Sequence, residues 1–339
     1  MGLFDKLFKS APAPTPQDTA FDEDFETLRR YAKHLFEYSL YLPPKRQTIK
    51  DVLIVCDEFI RVASQIDARR ASNKIRGEAQ RAKEPGDIYP YHKDFHVTSF
   101  GDGKEWEKVI KDAKRIQSRA MHFVQFDKMA SQIPEATISI DPDAETIKPK
   151  LSDMPELKYA TVTKSFSTNK LVSFVVIDTE TTGLKASFDK IIQLSAVRYE
   201  EWDPVEKWTT YINPKKAISE EATKVNGITE DMLVDKPTIN QVLRSFEEFL
   251  GNDALVGYNL PFDIKFLYMA GMDLTKVKRK YYDVLPLAQK AYKKDDLDSF
   301  KLSSVARENN IYYYEHDSLQ DCLATGAVFK KIVDRIVYR

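Results

Sequence analysis

A helical front half followed by an α/β back half with a mixed sheet is the fold class this sequence predicts, and three observations carry it. From about residue 20 to about 130, apolar residues recur at spacings of three and four, and strand-like alternation is almost absent. From about 170 onward, short β-branched and aromatic runs alternate with helical stretches. Residues 131–168 between them carry four prolines and no sustained period. At 339 residues the chain exceeds the usual single-domain size, so two folding units are expected. The expected organisation is a flexible N-terminal segment over 1–20, a helical domain over 21–130, a linker or irregular covering segment over 131–168, and an α/β domain over 169–339.

At the N-terminus, Leu3, Phe4, Leu7 and Phe8 share one helical face, which suits a membrane surface or a partner. The proline-rich run 11–16 cuts this piece from the helical domain and equally suits a frayed end. The first helix is predicted over 21–42 by the stripe Phe25, Leu28, Tyr31, Leu35 and Tyr38, broadened by Phe36 and Leu42. A second starts after Thr48 and runs through Val52, Cys56, Phe59, Ile60 and Ala63. A third over 105–129 runs through Trp106, Val109, Ile110, Ala113, Ile116 and Phe123. Between them Arg69, Arg70, Lys74, Arg76, Arg81 and Lys83 are opposed only by Glu78, and Tyr89, Tyr91 and Phe95 come soon after. This cluster reads either as a nucleic-acid patch or as a solvated helix end and loop. His92 and His96, four apart beside Pro90, read as ordinary histidines.

In the back half, strands over 171–178, 190–200 and 206–212, joined by short turns, predict an antiparallel meander. Next come a helix over 238–250, a strand over 254–258 and a helix from Pro261. Further helices lie over 285–292, from Leu302 and from Ser318.

The charge balance, 51 basic against 52 acidic residues, gives no global attraction to nucleic acid, so any such binding must be local. Cys56 and Cys322 match no metal spacing, and no apolar stretch approaches the roughly 20 residues that cross a bilayer. A reducing, cytoplasmic setting without a membrane span is expected.

The apolar run that ends at Asp178 and Glu180 puts two carboxylates on one side of a strand, because side chains alternate. Hard divalent ions favour such oxygens. Gly183 allows a sharp turn just beyond. Asn259 and Asp263 flank Pro261 at a strand-to-helix junction, where an acid also suits the positive helix end. His316 and Asp321 are five apart, and on one continuous helix they would stand about 140° from each other. The conflict disappears if the helix begins after His316, with Asp317 as N-cap and Gln320 at the third position of a capping box.

In this order and at these separations, Asp178-Thr-Glu180-Thr-Thr-Gly, Asn259-x-x-Phe262-Asp263 and His316-x-x-x-x-Asp321 resemble the three motifs of the DEDDh (DnaQ-like) 3′–5′ exonucleases. That branch includes the proofreading epsilon subunit of bacterial DNA polymerase III. Supporting matches are residues 225–229 and 283–288, and Lys301-Leu302 with Val305-Ala306; Asn226 and Ser318 stand where the family more often has His and Ala. The resemblance covers about 170–337 and implies a ribonuclease-H-like exonuclease fold, a mixed five-stranded sheet flanked by helices.

It also implies two divalent metal ions, Mg²⁺ or Mn²⁺. Asp178 would bridge them, with Glu180 and Asp321 on one and Asp263 on the other, and His316 would be the general base. The product implied is a nucleoside 5′-monophosphate from the 3′ end of single-stranded nucleic acid, DNA favoured. Thr181, Thr182, Gly183, Leu184, Asn259 and Phe262 would lie beside the terminal nucleotide, and Leu184 and Phe188 would wedge or stack the last bases. Alternatives of the same fold are a 3′–5′ exoribonuclease and a non-catalytic nucleic-acid or replisome scaffold; a scaffold normally shows lost carboxylates, and here none is lost. The helical domain is a candidate dock for a polymerase or repair partner.

Overall fold

The computed structural model describes residues 16–40, 46–81, 104–145, 149–168 and 171–338. The chain forms two compact units, Met1–Met121 and His122–Arg339. The apolar face at residues 3–8 and the expectations at Lys83, Tyr89, Tyr91, His92, Phe95 and His96 lie outside the described residues.

The first unit contains α1 (Pro16–Leu40), α2 (Arg46–Ala63), α3 (Ala68–Arg81) and the start of α4 (Glu105–Gln132), within which the division between the units falls. The predicted stripes supply its core: Phe25, Leu28, Val52, Cys56, Phe59, Trp106, Val109 and Ala113 are buried. Trp106 joins three helices. Its indole N–H donates to the Ala63 carbonyl at 3.1 Å, its backbone N–H donates to Ser72 Oγ at 3.0 Å, and its ring lies 6.0 Å from that of Phe25. Helix α3 corrects the reading of 69–83 as a helix end and loop. Among the described side chains its buried side is Ala71, Ser72 and Ile75, too small a stripe to stand out among so many cations.

The second unit is a ribonuclease-H-like α/β fold. The meander β1 (Ser173–Thr181), β2 (Ile191–Glu200) and β3 (Asp203–Tyr211) is followed by α5 (Glu220–Asn226), α6 (Ile239–Leu250), β4 (Ala254–Gly257) and α7 (Leu260–Met269). Then come β5 (Tyr281–Asp283), α8 (Val284–Ala291), α9 (Leu302–Glu308) and α10 (Ser318–Tyr338). The sheet order is β3-β2-β1-β4-β5, antiparallel from β1 to β3 and parallel from β1 through β4 to β5. β5 and α5, three and seven residues long, add to the elements expected from the sequence, because they are too short to leave a period in it.

β1 is central and apolar on both faces, as a covered strand should be. Phe174 and Val176 pack with Phe329, Ile332 and Leu287 of α10 and α8, whereas Val175 and Ile177 pack with Phe246, Ile264 and Leu267 of α6 and α7. Continuing that alternation sends Asp178 and Glu180 toward α10 and Thr179 toward α7.

Residues 134–145 and 149–160 form a strap across the α6–α7 face. The strap pairs with edge strand β3 through Ala136 N–H to Lys207 O at 2.8 Å and with edge strand β5 through Ala160 N–H to Tyr281 O at 2.7 Å. On the way, Ser139 N–H donates to Ser245 Oγ of α6 at 3.1 Å. Covering both edges blocks further strand pairing and explains a segment without a period of its own. Among the described residues no helix is long and apolar enough to cross a membrane.

Candidate active site

Asp178, Glu180 and Asp321 each place a carboxylate oxygen within 4.8 Å of the others. The first two arrive from β1 and the third from the first turn of α10. Beneath them, Ser318 Oγ lies 2.6 Å from Ser195 Oγ, which in turn lies 2.7 Å from Thr209 Oγ1, and Ser318 N–H donates to the side-chain oxygen of Gln193 at 3.2 Å. The serine that departs from the family pattern therefore has a hydroxyl partner on β2, which is itself bonded to β3.

Asp263 reaches the site from the other face. Thr179, the strand residue between the two acids, donates its hydroxyl to Asp263 Oδ1 at 2.7 Å. Helix α7 is launched by Asn259 in the left-handed region, φ 62°, which asparagine tolerates better than most residues. Asp283 holds that turn by accepting the Asn259 backbone N–H at 3.0 Å and the Leu285 N–H at 3.2 Å.

His316 precedes α10, also in the left-handed region at φ 62°, and Asp317 caps the helix by accepting from the backbone N–H groups of Leu319 (3.1 Å) and Gln320 (3.3 Å). The expected capping box is corrected on its return half: Gln320 Nε2 donates to Asp127 Oδ1 at 3.2 Å instead. Tyr313, buried in front of this loop, hydrogen bonds to the Asp321 carboxylate and favours its charged form.

One cleft of about 530 Å³ is lined by Asp178, Glu180, Asp263, His316 and Asp321 together, with Thr179, Thr181, Gly183, Leu184, Asn226, Asn259 and Phe262. Burial raises the pKa of every one of the four carboxyls. Asp178 is driven well above its ordinary value by burial first and then by Asp321, Asp263 and Glu180; Asp321 behaves alike, through burial and then Glu180. Glu180 is pushed up to about 8 by burial against a hydrogen bond from Asn226, and Asp263 up to about 7 by burial against the Thr179 hydroxyl. No lysine or arginine figures among these influences. A buried set of oxygen donors with mutual repulsion and no cationic side chain fits a hard divalent ion. His316 is lowered, by partial burial foremost, so its imidazole is neutral at pH 7.

Thr182 and Phe188 are not part of the cleft lining. Thr182 donates instead to Asp189 Oδ1 at 3.3 Å, and Lys216 Nζ grips Phe188 O at 2.9 Å and Asp189 Oδ1 at 3.2 Å. This folds the loop after β1 so closely that a Cβ on Gly183 would lie 2.6 Å from the Asp189 carboxylate. Leu184 (83%) and Phe188 (70%) stand exposed on that loop. In the first unit, Arg70 lies 4.0 Å over the Phe21 ring, Lys74 pairs with Asp22 at 2.8 Å, and Arg76 bonds the buried Glu105 at 3.2 Å. Those three cations serve contacts inside that unit; Arg69 is exposed, and the side chains of Arg81 and Lys83 lie outside the described residues. Sequence reasoning missed Tyr313, Thr179 and the link from Asn226 to Glu180, none of which belongs to a local pattern.

Residues 175–329 match the exonuclease family RNase_T. The match lies within the α/β unit and supports an exonuclease of the DEDDh, DnaQ-like kind. The PolC-type DNA polymerase III of Clostridium perfringens is 37% identical over 159 residues, which is 46% of this chain and 11% of that protein. The Bacillus subtilis PolC-type DNA polymerase III is 33% identical over 165 residues, again 11% of its length. This chain thus spans about a tenth of the curated relatives it matches. Among solved structures, E. coli exonuclease I in complex with an oligonucleotide is similar to this chain at 23% identity and a TM-score of 0.42, covering 49% of this chain and 41% of that one. Exonuclease X in complex with 5′-overhanging duplex DNA has 22% identity and a TM-score of 0.38, covering 48% and 91%.

Proposed function

We propose that this protein is a divalent-metal-dependent 3′–5′ exonuclease that releases nucleoside 5′-monophosphates from the 3′ end of single-stranded or frayed DNA. The observation that carries the reading is the convergence of Asp178, Glu180 and Asp321 within 4.8 Å in one cleft with Asp263 and His316. Two bound ions, Mg²⁺ or Mn²⁺, would supply Lewis acidity at the scissile phosphate and make water there more acidic. Asp178, Glu180 and Asp321 would hold one ion, and Asp263, oriented by Thr179, would help hold the other. The neutral His316 takes the proton of the attacking water on an imidazole nitrogen. Thr181, Gly183, Asn259 and Phe262 receive the terminal nucleotide, while Leu184 and Phe188 meet the neighbouring bases. That the matched relatives are DNA polymerases supports DNA as substrate and a place beside DNA synthesis or repair. The free, buried Cys56 and Cys322 suit a reducing, cytoplasmic setting.

Oligonucleotides labelled at either end test this. With Mg²⁺ or Mn²⁺ the 3′ label should leave first as a mononucleotide while the 5′-labelled strand shortens stepwise, on DNA faster than on matched RNA. EDTA or Asp178→Ala should stop both. Internal cuts, or release unchanged by EDTA, would refute the reading.

A further inference from the structure

We propose that the C-terminal end of α4, together with Tyr313, sets the position of Asp321, so that side chains outside the exonuclease match at 175–329 are positioning residues for its site. This rests on the metal-binding role given to Asp321 above.

The contacts enclose the His316 loop from both sides. Before it, the Tyr313 ring meets Phe126 of α4 with centroids 6.2 Å apart, Phe123 meets Tyr314 at 5.6 Å, and His122 stacks on Tyr312 at 5.6 Å. After it, Asp127 Oδ1 accepts the amide of Gln320 at 3.2 Å, one residue ahead of Asp321. Gln320 is buried, and its carbonyl oxygen has no partner among the described residues, so Asp127 is what holds the amide in place. Between the two grips His316 keeps a left-handed backbone, which a non-glycine residue sustains only where its surroundings enforce it. Asp321 itself must be held beside Asp178 and Glu180, whose charges repel it, and the Tyr313 hydroxyl fixes the rotation of its carboxylate. Removing an outer hydrogen-bond partner of a metal-binding side chain typically lowers metal affinity 10–100-fold.

The test is Mn²⁺ binding to the full chain without substrate, read from the loss of the free Mn²⁺ paramagnetic resonance signal. Tyr313→Phe, which removes only the hydroxyl, and Asp127→Ala should each raise the dissociation constant roughly tenfold or more. Asp127→Asn, which keeps an acceptor for Gln320, should restore it, and far-ultraviolet circular dichroism should match wild type throughout. Wild-type affinity in both Tyr313→Phe and Asp127→Ala overturns the proposal while the exonuclease reading stands. A wild-type chain that binds no Mn²⁺, or binds it no better than Asp178→Ala, overturns that reading and this proposal with it.

Discussion

Thr179 donates its hydroxyl to Asp263 at 2.7 Å, and this buried bond fastens α7 to the central strand between the two acids of β1. Strand alternation explains it: the same parity that turns Asp178 and Glu180 toward α10 turns Thr179 toward α7. The acids are thus delivered from both faces of one sheet, and Thr179 is the piece of β1 that reaches the second face.

Thr179→Val keeps the shape and removes that donor. A hydrogen bond to a charged group contributes about 1.5–3 kcal/mol, so the Asp263 pKa, already about 7, should climb by about one unit or more. The acidic limb of the pH–rate profile should move up, with much of the activity regained near pH 9. An unshifted limb would count against this role for Thr179.

The crowded carboxyls make the metal-free protein sensitive to pH. A carboxyl whose native pKa lies above its unfolded value keeps its proton better when folded; the stability it adds is present at low pH and lost as pH rises through the native value. For Glu180 that window runs from about 4.5 to about 8. Thermal midpoints in EDTA should fall across it. At pH 8, Asp178→Asn should raise the midpoint by a few degrees, since relief of about 1 kcal/mol is about 2–4 °C in a domain of this size. Excess Mn²⁺ should raise the wild type instead, by about 2.7 kcal/mol at a hundredfold its dissociation constant. A flat midpoint between pH 5 and pH 8 would contradict the electrostatics of the cleft.

The acids were legible because each sits at the end of a regular element. The apolar run of β1 ends at Asp178, Pro261 starts α7, and the spacing of His316 and Asp321 demanded a helix start between them, where Asp317 caps. What could not be read depends on distant partners. Gln320 turns to Asp127, 193 residues away in the chain, and Tyr313 looks like one of three consecutive tyrosines until Phe126 and Asp321 are placed around it. The strap formed by 134–145 and 149–160 takes its conformation from the sheet edges it covers, and α3 from the small buried stripe of Ala71 and Ile75.

Gly326 lies five residues beyond Asp321 on α10, where a Cβ would fall 2.2 Å from the Tyr199 ring. Tyr199 is buried, stacked at 4.9 Å on Phe174, and hydrogen bonded to Leu323 O at 3.3 Å. Gly326→Ala should therefore push α10 off the sheet, costing about 1–3 kcal/mol or more, and weaken Mn²⁺ binding through Asp321. A fully stable variant with unchanged metal affinity would show that α10 can shift without the site noticing.

His316→Ala should lower kcat by about 10²–10⁴-fold with little change in KM for the oligonucleotide or in Mn²⁺ affinity. Burial and, after it, Lys301 hold His316 below its ordinary pKa, so its share of the acidic limb should move up in Lys301→Met. Equal losses in metal affinity and in kcat for His316→Ala would instead make it a ligand.

The most direct test of the whole account is a crystal of the full chain soaked in Mn²⁺ and measured for anomalous scattering. The account predicts two peaks about 4 Å apart, one bonded to Asp178, Glu180 and Asp321 and the other to Asp178 and Asp263. Absence of anomalous density between these carboxylates at saturating Mn²⁺ would contradict it.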